Sequence, residues 1–167
     1  GGVAGEMADA VSARAWGGGG GSSVGACVGL AGGGGVVVVI EGRDPGNAGT
    51  VLRAAGAAGA RGGVFGDGCV EFNNPKTIRS TAGALCQIPV VTSVSVEVAL
   101  STLGASGRTR LAAVSSDGRD YASFDLTQPV ALIMGNEAHG LPGDLAGIDG
   151  WITIPLPGAV ESLNVGV

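Results

Sequence analysis

The sequence has few aromatic residues, one histidine and one lysine among its 167 residues. Aromatic side chains make up only 4%, which disfavours the stacking platforms that bind single-stranded nucleic acids. A formal net charge of −5 disfavours a broad basic surface for nucleic acid. Because Lys76 is the lone lysine, no Walker-type phosphate loop is present, and no Gly-x-Gly-x-x-Gly follows the first predicted strand. These two absences argue against a nucleotide-dependent oxidoreductase.

The three cysteines, Cys27, Cys69 and Cys86, are widely spaced and include no Cys-x-x-Cys pair. With His139 as the sole histidine, the sequence disfavours a disulfide framework or a zinc site, and we expect no metal. The longest purely apolar run near the start, Val36–Ile40, is far shorter than the roughly 20 residues that span a bilayer. No charged-then-apolar signal segment precedes it. We therefore expect a cytoplasmic protein that binds neither a membrane nor a metal.

Glycine is abundant, with 34 residues, and it is concentrated in Gly17–Gly21 and Gly32–Gly35. A short helix over Met7–Trp16 and a strand over Val24–Leu30 are predicted, and the glycine runs interrupt both. The sequence thus predicts that residues 1–35 form a Gly-rich segment distinct from the remainder of the chain.

From Val36 onward, apolar segments of strand length alternate with segments of helical composition. Strands are predicted at Val36–Ile40, Gly63–Phe65, Ile88–Val91, Leu111–Ser115, Val130–Met134 and Trp151–Ile154. Helices are predicted at Ala48–Ala60 with Asn47 as its N-cap, at Lys76–Cys86, and at Ser93–Leu103 with a serine cap. This alternation predicts an α/β fold in which helices flank a mostly parallel sheet. In such sheets ligands bind beyond the carboxyl ends of the strands, so the loops that follow strands are the candidate sites.

The loop after the first strand contains Asn47, Gly49 and Arg53. Asn47 can cap the following helix, and Gly49 permits the close approach of another backbone. Arg53 comes six residues after Asn47, under two helical turns, so its side chain can still reach the loop. A capped helix with a solvated arginine is an equally good interpretation of these residues taken alone.

Cationic side chains are concentrated near this loop. Residues 43–79 carry five of them against three acidic ones, whereas residues 101–167 carry three arginines against seven acidic residues. The cations of the first region are Arg43, Arg53, Arg61, Lys76 and Arg79. Such an island can meet one phosphate-rich ligand, although ordinary solvated or paired side chains give the same composition.

Two further loops follow predicted strands. The second, Gly135–Leu141, contains Glu137 as its sole acid, and it also fits a plain strand-to-helix connection. His139 lacks a visible partner and is more typical of a structural or exposed histidine than of a base. The third, Pro155–Val165, contains Ser162 and Asn164, which can cap a following helix. Because no Gly-x-Ser-x-Gly surrounds Ser162, a serine nucleophile is disfavoured.

In this order and spacing, the three loops resemble the TrmH (SpoU) family of RNA ribose 2′-O-methyltransferases in the SPOUT superfamily. The family's Asn-x-Gly-x-x-x-Arg motif is matched by Asn47, Gly49 and Arg53. Its second motif is matched by Gly135-Asn136-Glu137 with Gly140-Leu141, and its third by Ile154-Pro155, Gly158 and Glu161-Ser162-Leu163-Asn164-Val165. The likeness runs from Val36 to Val167. The stretch Asn74-Pro75-Lys76, with Arg79-Ser80 and Ala82-Gly83, further resembles the ribosomal-RNA branch.

The resemblance implies an α/β domain with a deep trefoil knot at its C-terminal end, which binds S-adenosylmethionine and acts as a homodimer on RNA. The cofactor's adenosine would be surrounded by Gly135, Ile154 and Leu163. The polar catalytic site would consist of Arg53, Asn47, Glu137, Ser162 and Asn164. The expected RNA contacts are Arg43, Arg53, Lys76 and Arg79.

The resemblance also predicts the domain organisation. Residues 36–167 would form the SPOUT methyltransferase domain, without the C-terminal helix that follows in other family members. Residues 1–35 would be a linker to an RNA-binding domain or a remnant of one. The expected function is methylation of a ribose 2′-hydroxyl, in ribosomal RNA rather than transfer RNA. The alternatives are a transfer-RNA methyltransferase and a non-catalytic RNA-binding or ribosome-assembly module with the same fold.

Overall fold

The structure, a computed structural model, describes residues 22–69, 74–81, 83–84, 87–136, 139–158 and 163–165. The strands in this part of the chain are β1 (Val36–Ile40), β2 (Gly62–Gly66), β3 (Val90–Val94), β4 (Thr109–Ala113), β5 (Arg119–Asp120), β6 (Val130–Met134) and β7 (Gly150–Thr153). The α-helices are α1 (Ser23–Ala31), α2 (Pro45–Ala57), α3 (Pro75–Ser80) and α4 (Val96–Ala105). A 3-10 helix covers Tyr121–Ser123.

The seven described strands form one sheet in the order β3-β2-β1-β6-β4-β7-β5, and every pairing in it is parallel. The all-β-branched strand β1 lies in the interior of the sheet, where four of its five residues are buried. Runs of β-branched residues suit such a strand because both of its faces are covered. The predicted α/β fold with a parallel sheet flanked by helices is therefore confirmed.

Alternate side chains of β1 enter different cores. Val37 and Val39 pack in one cluster with Leu30 of α1 and Leu103 of α4. On the other face Val38 and Ile40 pack with residues of α2, namely Ala48, Val51, Leu52 and Ala55. Since successive residues of a strand point to opposite faces, this division places α1 and α4 on one side of the sheet and α2 on the other.

The helix starts are specified by polar side chains, but one predicted cap is wrong. Asp44, not Asn47, caps α2: its Oδ1 accepts a hydrogen bond of 2.9 Å from the Asn47 backbone N–H. The helix begins at Pro45, because proline tolerates the first helical turn, where its missing N–H has no partner to lose. Asn47 is consequently inside the first turn. Ser95 caps α4, so the predicted serine cap is confirmed, but the helix begins at Val96, three residues after the predicted start at Ser93.

Other differences lie at element boundaries. The strand predicted at Ile88–Val91 occupies Val90–Val94. The helix predicted at Lys76–Cys86 is described as Pro75–Ser80, and Cys86 lies outside the described residues. None of the described helices is long and apolar enough to cross a membrane.

The strand predicted at Val24–Leu30 is wrong, because Ser23–Ala31 forms helix α1. Ser22 caps this helix with its hydroxyl, and Cys27, Leu30 and Ala31 are buried on one side of it. The spacing of these three residues is helical, and packing against the sheet stabilises the helix despite its glycines. The helix predicted over Met7–Trp16 lies outside the described residues.

A buried arginine links α1 to the sheet. Arg108, only 2% exposed, donates hydrogen bonds to five main-chain carbonyls. They belong to Ala31, Gly33, Gly34, Gly35 and Val130. The C-terminal carbonyls of a helix lack intrahelical partners, and a guanidinium supplies several donors at once. Arg108 thereby holds the glycine segment between α1 and β1 in place.

Candidate functional site

A cavity of about 880 Å³ lies against one face of β4, β6 and β7 and extends past their carboxyl ends. Residues 114–116 after β4, Gly135 and Asn136 after β6, and Ile154 after β7 all contribute to its wall. Its volume falls within the range of about 300–1,000 Å³ that is common for small-molecule sites. The cavity therefore occupies the place that a parallel sheet offers to a ligand.

Helix α2 lies on the same face of the sheet as this cavity. In the parallel register, Val38 pairs with Leu132 and Ile40 with Met134. Leu132 and Met134 line the cavity, whereas Val38 and Ile40 pack against α2. Because paired residues of neighbouring strands point to the same face, the helix that carries Asn47 and Arg53 stands on the cavity side of the sheet.

Four large apolar side chains remain exposed around the cavity. Tyr121 and Leu126 are each 44% exposed, Ile154 is 54% exposed and Leu163 is 45% exposed, and all four line it. These residues come from two distant stretches of the chain, so their convergence is a tertiary feature. Exposed apolar surface that converges on a concavity is typical of a ligand-binding site.

The loop after β6 closes on itself at the cavity wall. Asn136 and Gly140 form an antiparallel bridge, in which the Gly140 N–H donates to the Asn136 carbonyl at 2.6 Å. A Cβ on Gly135 would lie 2.8 Å from the carbonyl carbon of Gly140 and 2.9 Å from the backbone nitrogen of Leu141. Gly140 has a φ of 64°, a conformation that glycine adopts without strain. Glycine at position 135 thus serves the loop's own tight path.

The structure brings together four residues that the sequence analysis selected. Gly135, Ile154, Leu163 and Asn164 all line the cavity. Val165, directly after them, packs against the α2 cluster. His139 is exposed and also lines the cavity, in keeping with its interpretation as an exposed histidine. Glu137 and Ser162, which the sequence analysis also selected, lie outside the described residues.

Asn47 and Arg53 are placed differently, because neither is among the residues that line the cavity. Asn47 is half-buried in the first turn of α2, and Arg53 is exposed two turns further along that helix. Their helix is held by close packing at Gly49, where a Cβ would lie 2.8 Å from the Thr77 carbonyl oxygen of α3 and would overlap Ser80. The Ser80 hydroxyl donates to the carbonyls of Pro45, at 3.0 Å, and Thr77, at 2.8 Å. The predicted close backbone approach at Gly49 is therefore confirmed.

Four cations of the basic island form an exposed surface on α2, α3 and the loop before α2, whereas Arg61 is half-buried and its Nε donates to the Leu30 carbonyl. Arg43, Arg53, Lys76 and Arg79 are all exposed. Lys76 Nζ lies 3.9 Å from Asp44 Oδ2, a solvent-exposed pair of little energetic weight. Hydrogen bonding from the Asn47 backbone N–H, and secondarily Lys76, lowers the pKa of the Asp44 carboxyl. These cations stand on two helices that pack against each other and on the loop before the first of them.

The sequence analysis did not select Tyr121 and Leu126, which line the cavity, or Glu41, which is not among the lining residues. Tyr121 and Leu126 come from a segment between β4 and β6 whose periodicity carries no strand or helix signal. Glu41 directly follows the central strand β1, and its Oε1 is buried without a hydrogen-bond partner within the described residues. Burial, followed by the charges of Asp67 and Glu97, raises the pKa of the Glu41 carboxyl. In the described part of the chain, no group of three or more metal-ligating side chains is arranged to hold a metal ion.

The sequence is similar to a known family and to several of its members. The model of the SpoU rRNA methylase family matches residues 35–167. The chain is 38% identical, over 75% of its length and 50% of the relative's, to the 23S rRNA (guanosine(2553)-2′-O)-methyltransferase RlmP of Bacillus subtilis. It is 33% identical, over 72% of its length and 44% of the relative's, to a 23S rRNA (uridine(2479)-2′-O)-methyltransferase of Streptomyces viridochromogenes. The chain thus spans about half the length of the curated relatives it matches.

Solved structures agree with the sequence relatives. The SpoU methyltransferase AviRb from Streptomyces viridochromogenes superposes with a TM-score of 0.71 at 30% identity, over 78% of this chain and 53% of that one. An AdoMet-bound rRNA methyltransferase from Sinorhizobium meliloti superposes with a TM-score of 0.70 at 34% identity, over 78% of this chain and 51% of that one.

Proposed function

Because the chain belongs to the SpoU rRNA methylase family, we propose that it transfers a methyl group from S-adenosylmethionine to a ribose 2′-hydroxyl of ribosomal RNA. Several relatives carry names that describe this reaction on 23S rRNA. The single observation that carries the proposal is the cavity, where the second and third motifs meet although they are separate in the sequence.

The cavity fits the cofactor in size and chemistry. It is bounded by exposed apolar side chains, among them Ile154 and Leu163, which suit a purine ring. Gly135 lines the cavity, and its lack of a side chain lets it pack directly against Gly140 and Leu141, which line the cavity with it. We assign adenosine binding to Gly135, Ile154 and Leu163, and we place the polar groups Asn47, Glu137, Ser162 and Asn164 around the reacting atoms.

When bound, S-adenosylmethionine supplies a methyl group on a sulfonium, which is transferred by in-line displacement. The chain's own contribution is to hold the ribose hydroxyl in line with that methyl group and to stabilise the oxyanion that develops on it. We assign the second task to Arg53, which also anchors a phosphate of the RNA. A guanidinium retains its proton throughout the accessible pH range, so Arg53 acts as a donor and not as the base.

The exposed cations Arg43, Arg53, Lys76 and Arg79 form the proposed RNA contact surface. They are confined to α2, α3 and one loop, which reconciles RNA binding with the acidic net charge of the chain. We further propose a cytoplasmic homodimer whose C-terminal segment forms the trefoil knot of the family. Val165 supports only the placement of the C-terminal segment, since it packs against the core of β1 and α2 directly after the cavity residues Leu163 and Asn164. The assignment of residues 1–35 to a linker or remnant of an RNA-binding domain stays a prediction.

Substitution of Arg53 tests the catalytic assignment. In single-turnover methylation of ribosomal RNA at saturating cofactor, Arg53→Ala should lower the rate by roughly 100-fold or more, as expected for the loss of one oxyanion donor. Arg53→Lys should rescue little, because a point charge does not reproduce a planar two-pronged contact. Calorimetry should show nearly unchanged affinity for S-adenosylmethionine, since Arg53 does not line the cavity.

The matched control is Arg43→Ala, which removes an exposed cation from the same surface. It should weaken RNA binding but preserve the rate at saturating RNA. Wild-type rates in Arg53→Ala would end the catalytic assignment. If the unsubstituted protein bound the cofactor and ribosomal RNA without methylating it, a non-catalytic ribosome-assembly module would replace the proposal. Methylation of transfer RNA alone would move the substrate to that class.

A further inference from the structure

One wall of the cavity comes from residues 114–129, the connection between β4 and β6. Part of this connection forms the short strand β5, which pairs with β7 in the register Arg119 to Ile152 and Asp120 to Thr153. The residues directly after the two strands are Tyr121, which begins the 3-10 helix, and Ile154, and both line the cavity. A tyrosine therefore lines the same cavity as Ile154, a residue already assigned to adenosine binding.

The backbone that carries Tyr121 is anchored on both sides. The Asp120 carboxylate accepts a hydrogen bond of 2.9 Å from the Ala122 N–H, and the Ser123 hydroxyl donates to the Asp120 carbonyl at 2.7 Å. The Arg119 guanidinium stacks 4.7 Å above the centre of the Phe124 ring, and Phe124 packs against the core of β4, β6 and β7. The Tyr121 side chain itself is 44% exposed, so a held backbone presents a free aromatic face.

We propose that Tyr121 is a cofactor-positioning residue whose ring stacks on the purine base in the cavity. This inference rests on the proposed function, since it takes S-adenosylmethionine as the ligand. Among the described residues that line the cavity, Tyr121 alone carries a six-membered aromatic ring. Leu126 and Ile154, which also line the cavity, are aliphatic and exposed. A planar base that binds between these side chains and Tyr121 buries its apolar surface on more than one side.

At position 121, a tyrosine suits the binding of a base better than an aliphatic residue would. An aromatic face adds stacking to the burial of area, and a tyrosine keeps its hydroxyl hydrated at the mouth of the cavity. Base stacking on an aromatic side chain is sequence-tolerant and needs no hydrogen bond, so the contact orients the base without specifying its polar edge. We therefore expect Tyr121 to act through cofactor affinity.

The test is calorimetric titration of the whole chain with S-adenosylmethionine and with S-adenosylhomocysteine. Tyr121→Ala should weaken both ligands by the same factor, roughly 10-fold, because they share the adenosine that the ring contacts. Tyr121→Phe should bind like the unsubstituted protein, and Tyr121→Leu should fall between Phe and Ala. Val98→Ala, which truncates an exposed apolar side chain outside the cavity lining, is the matched control and should change neither affinity.

The outcomes separate the inference from the proposed function. If the unsubstituted chain binds neither ligand, the proposed function fails and the inference falls with it. If it binds both and Tyr121→Ala binds as tightly, Tyr121 is not a cofactor contact. Full affinity in Tyr121→Leu would overturn stacking as the mechanism. Unchanged cofactor affinity with a raised RNA concentration for half-maximal methylation would assign Tyr121 to the RNA. Thermal unfolding of each variant should match the unsubstituted protein, because the side chain is largely exposed.

Discussion

Replacement of Arg108 by methionine removes the guanidinium that joins α1, the glycine segment and β6. Methionine keeps an unbranched apolar stem in the same space, so the change isolates the lost donors. Two of the five carbonyls, those of Ala31 and Val130, accept from Arg108 in buried surroundings. The other three belong to Gly33, Gly34 and Gly35, which are exposed, so water can replace the arginine there.

The expected cost follows from this difference. A buried group left without a partner costs about 1–3 kcal/mol, and a resolvated one costs much less. Two buried carbonyls therefore give a loss of roughly 2–6 kcal/mol, to which the three resolvated ones add little. Domains of this size have a total stability of about 5–15 kcal/mol, so the loss takes a large share of it. Arg108→Lys keeps the charge and up to three donors and should lose about half as much.

Urea unfolding followed by tryptophan fluorescence and by circular dichroism measures these losses. The matched control is Arg110→Met, in which the lost partner is Asp149, bound through Nε at 2.8 Å near the surface. Its pair should contribute no more than about 1 kcal/mol. If Arg108→Met destabilises the protein no more than Arg110→Met does, the five carbonyl bonds do not hold the glycine segment as described.

Two further predictions concern Gly135 in the cavity wall and Glu41, which directly follows β1. Gly135→Val should abolish S-adenosylmethionine binding in calorimetry, because even a Cβ at this position would lie 2.8 Å from the Gly140 carbonyl carbon. The matched control is Gly143→Val, which should bind the cofactor normally because no atom lies within 4 Å of the added Cβ. Glu41→Gln should raise the free energy of unfolding at neutral pH. Since the folded pKa of Glu41 is raised above 4.5, its ionisation costs the native state stability as pH rises through and beyond that value. In unfolding titrations, the difference in free energy of unfolding between Glu41→Gln and the unsubstituted protein should therefore be constant below about pH 4 and grow above it. A difference that shrinks with rising pH would contradict the raised pKa of Glu41.

Local chemistry in the sequence was sufficient for much of the fold. The run Val36–Ile40 consists only of β-branched residues, so it predicts a strand covered on both faces wherever it lies in the sheet. The alternation of strands and helices that follows predicts a parallel sheet, and with it the end at which ligands bind. Gly135, Ile154, Leu163 and Asn164 were selected because their motifs resemble those of the SpoU family, and all four line the cavity.

The sequence-based predictions were wrong where the local residues fitted two structures equally well. Asp44 and Asn47 are both good N-caps, and the choice depends on where Pro45 can sit and where α2 meets α3 at Gly49. Helix α1 was similarly ambiguous, because a short apolar run with β-branched residues fits a strand or a helix. Burial of Cys27 and Leu30 on the sheet decided in favour of the helix.

The sequence by itself determined the strand run of β1, the α/β class and the motif residues, because each depends on neighbours a few positions apart. The tertiary structure alone decided that Arg108 reaches five carbonyls, up to 77 residues away, and that Tyr121 and Ile154 line one cavity. Such contacts form only when the parallel register brings distant segments together. The free energy that selects them comes from burial and hydrogen bonding across the whole sheet, and no local pattern of residues encodes it.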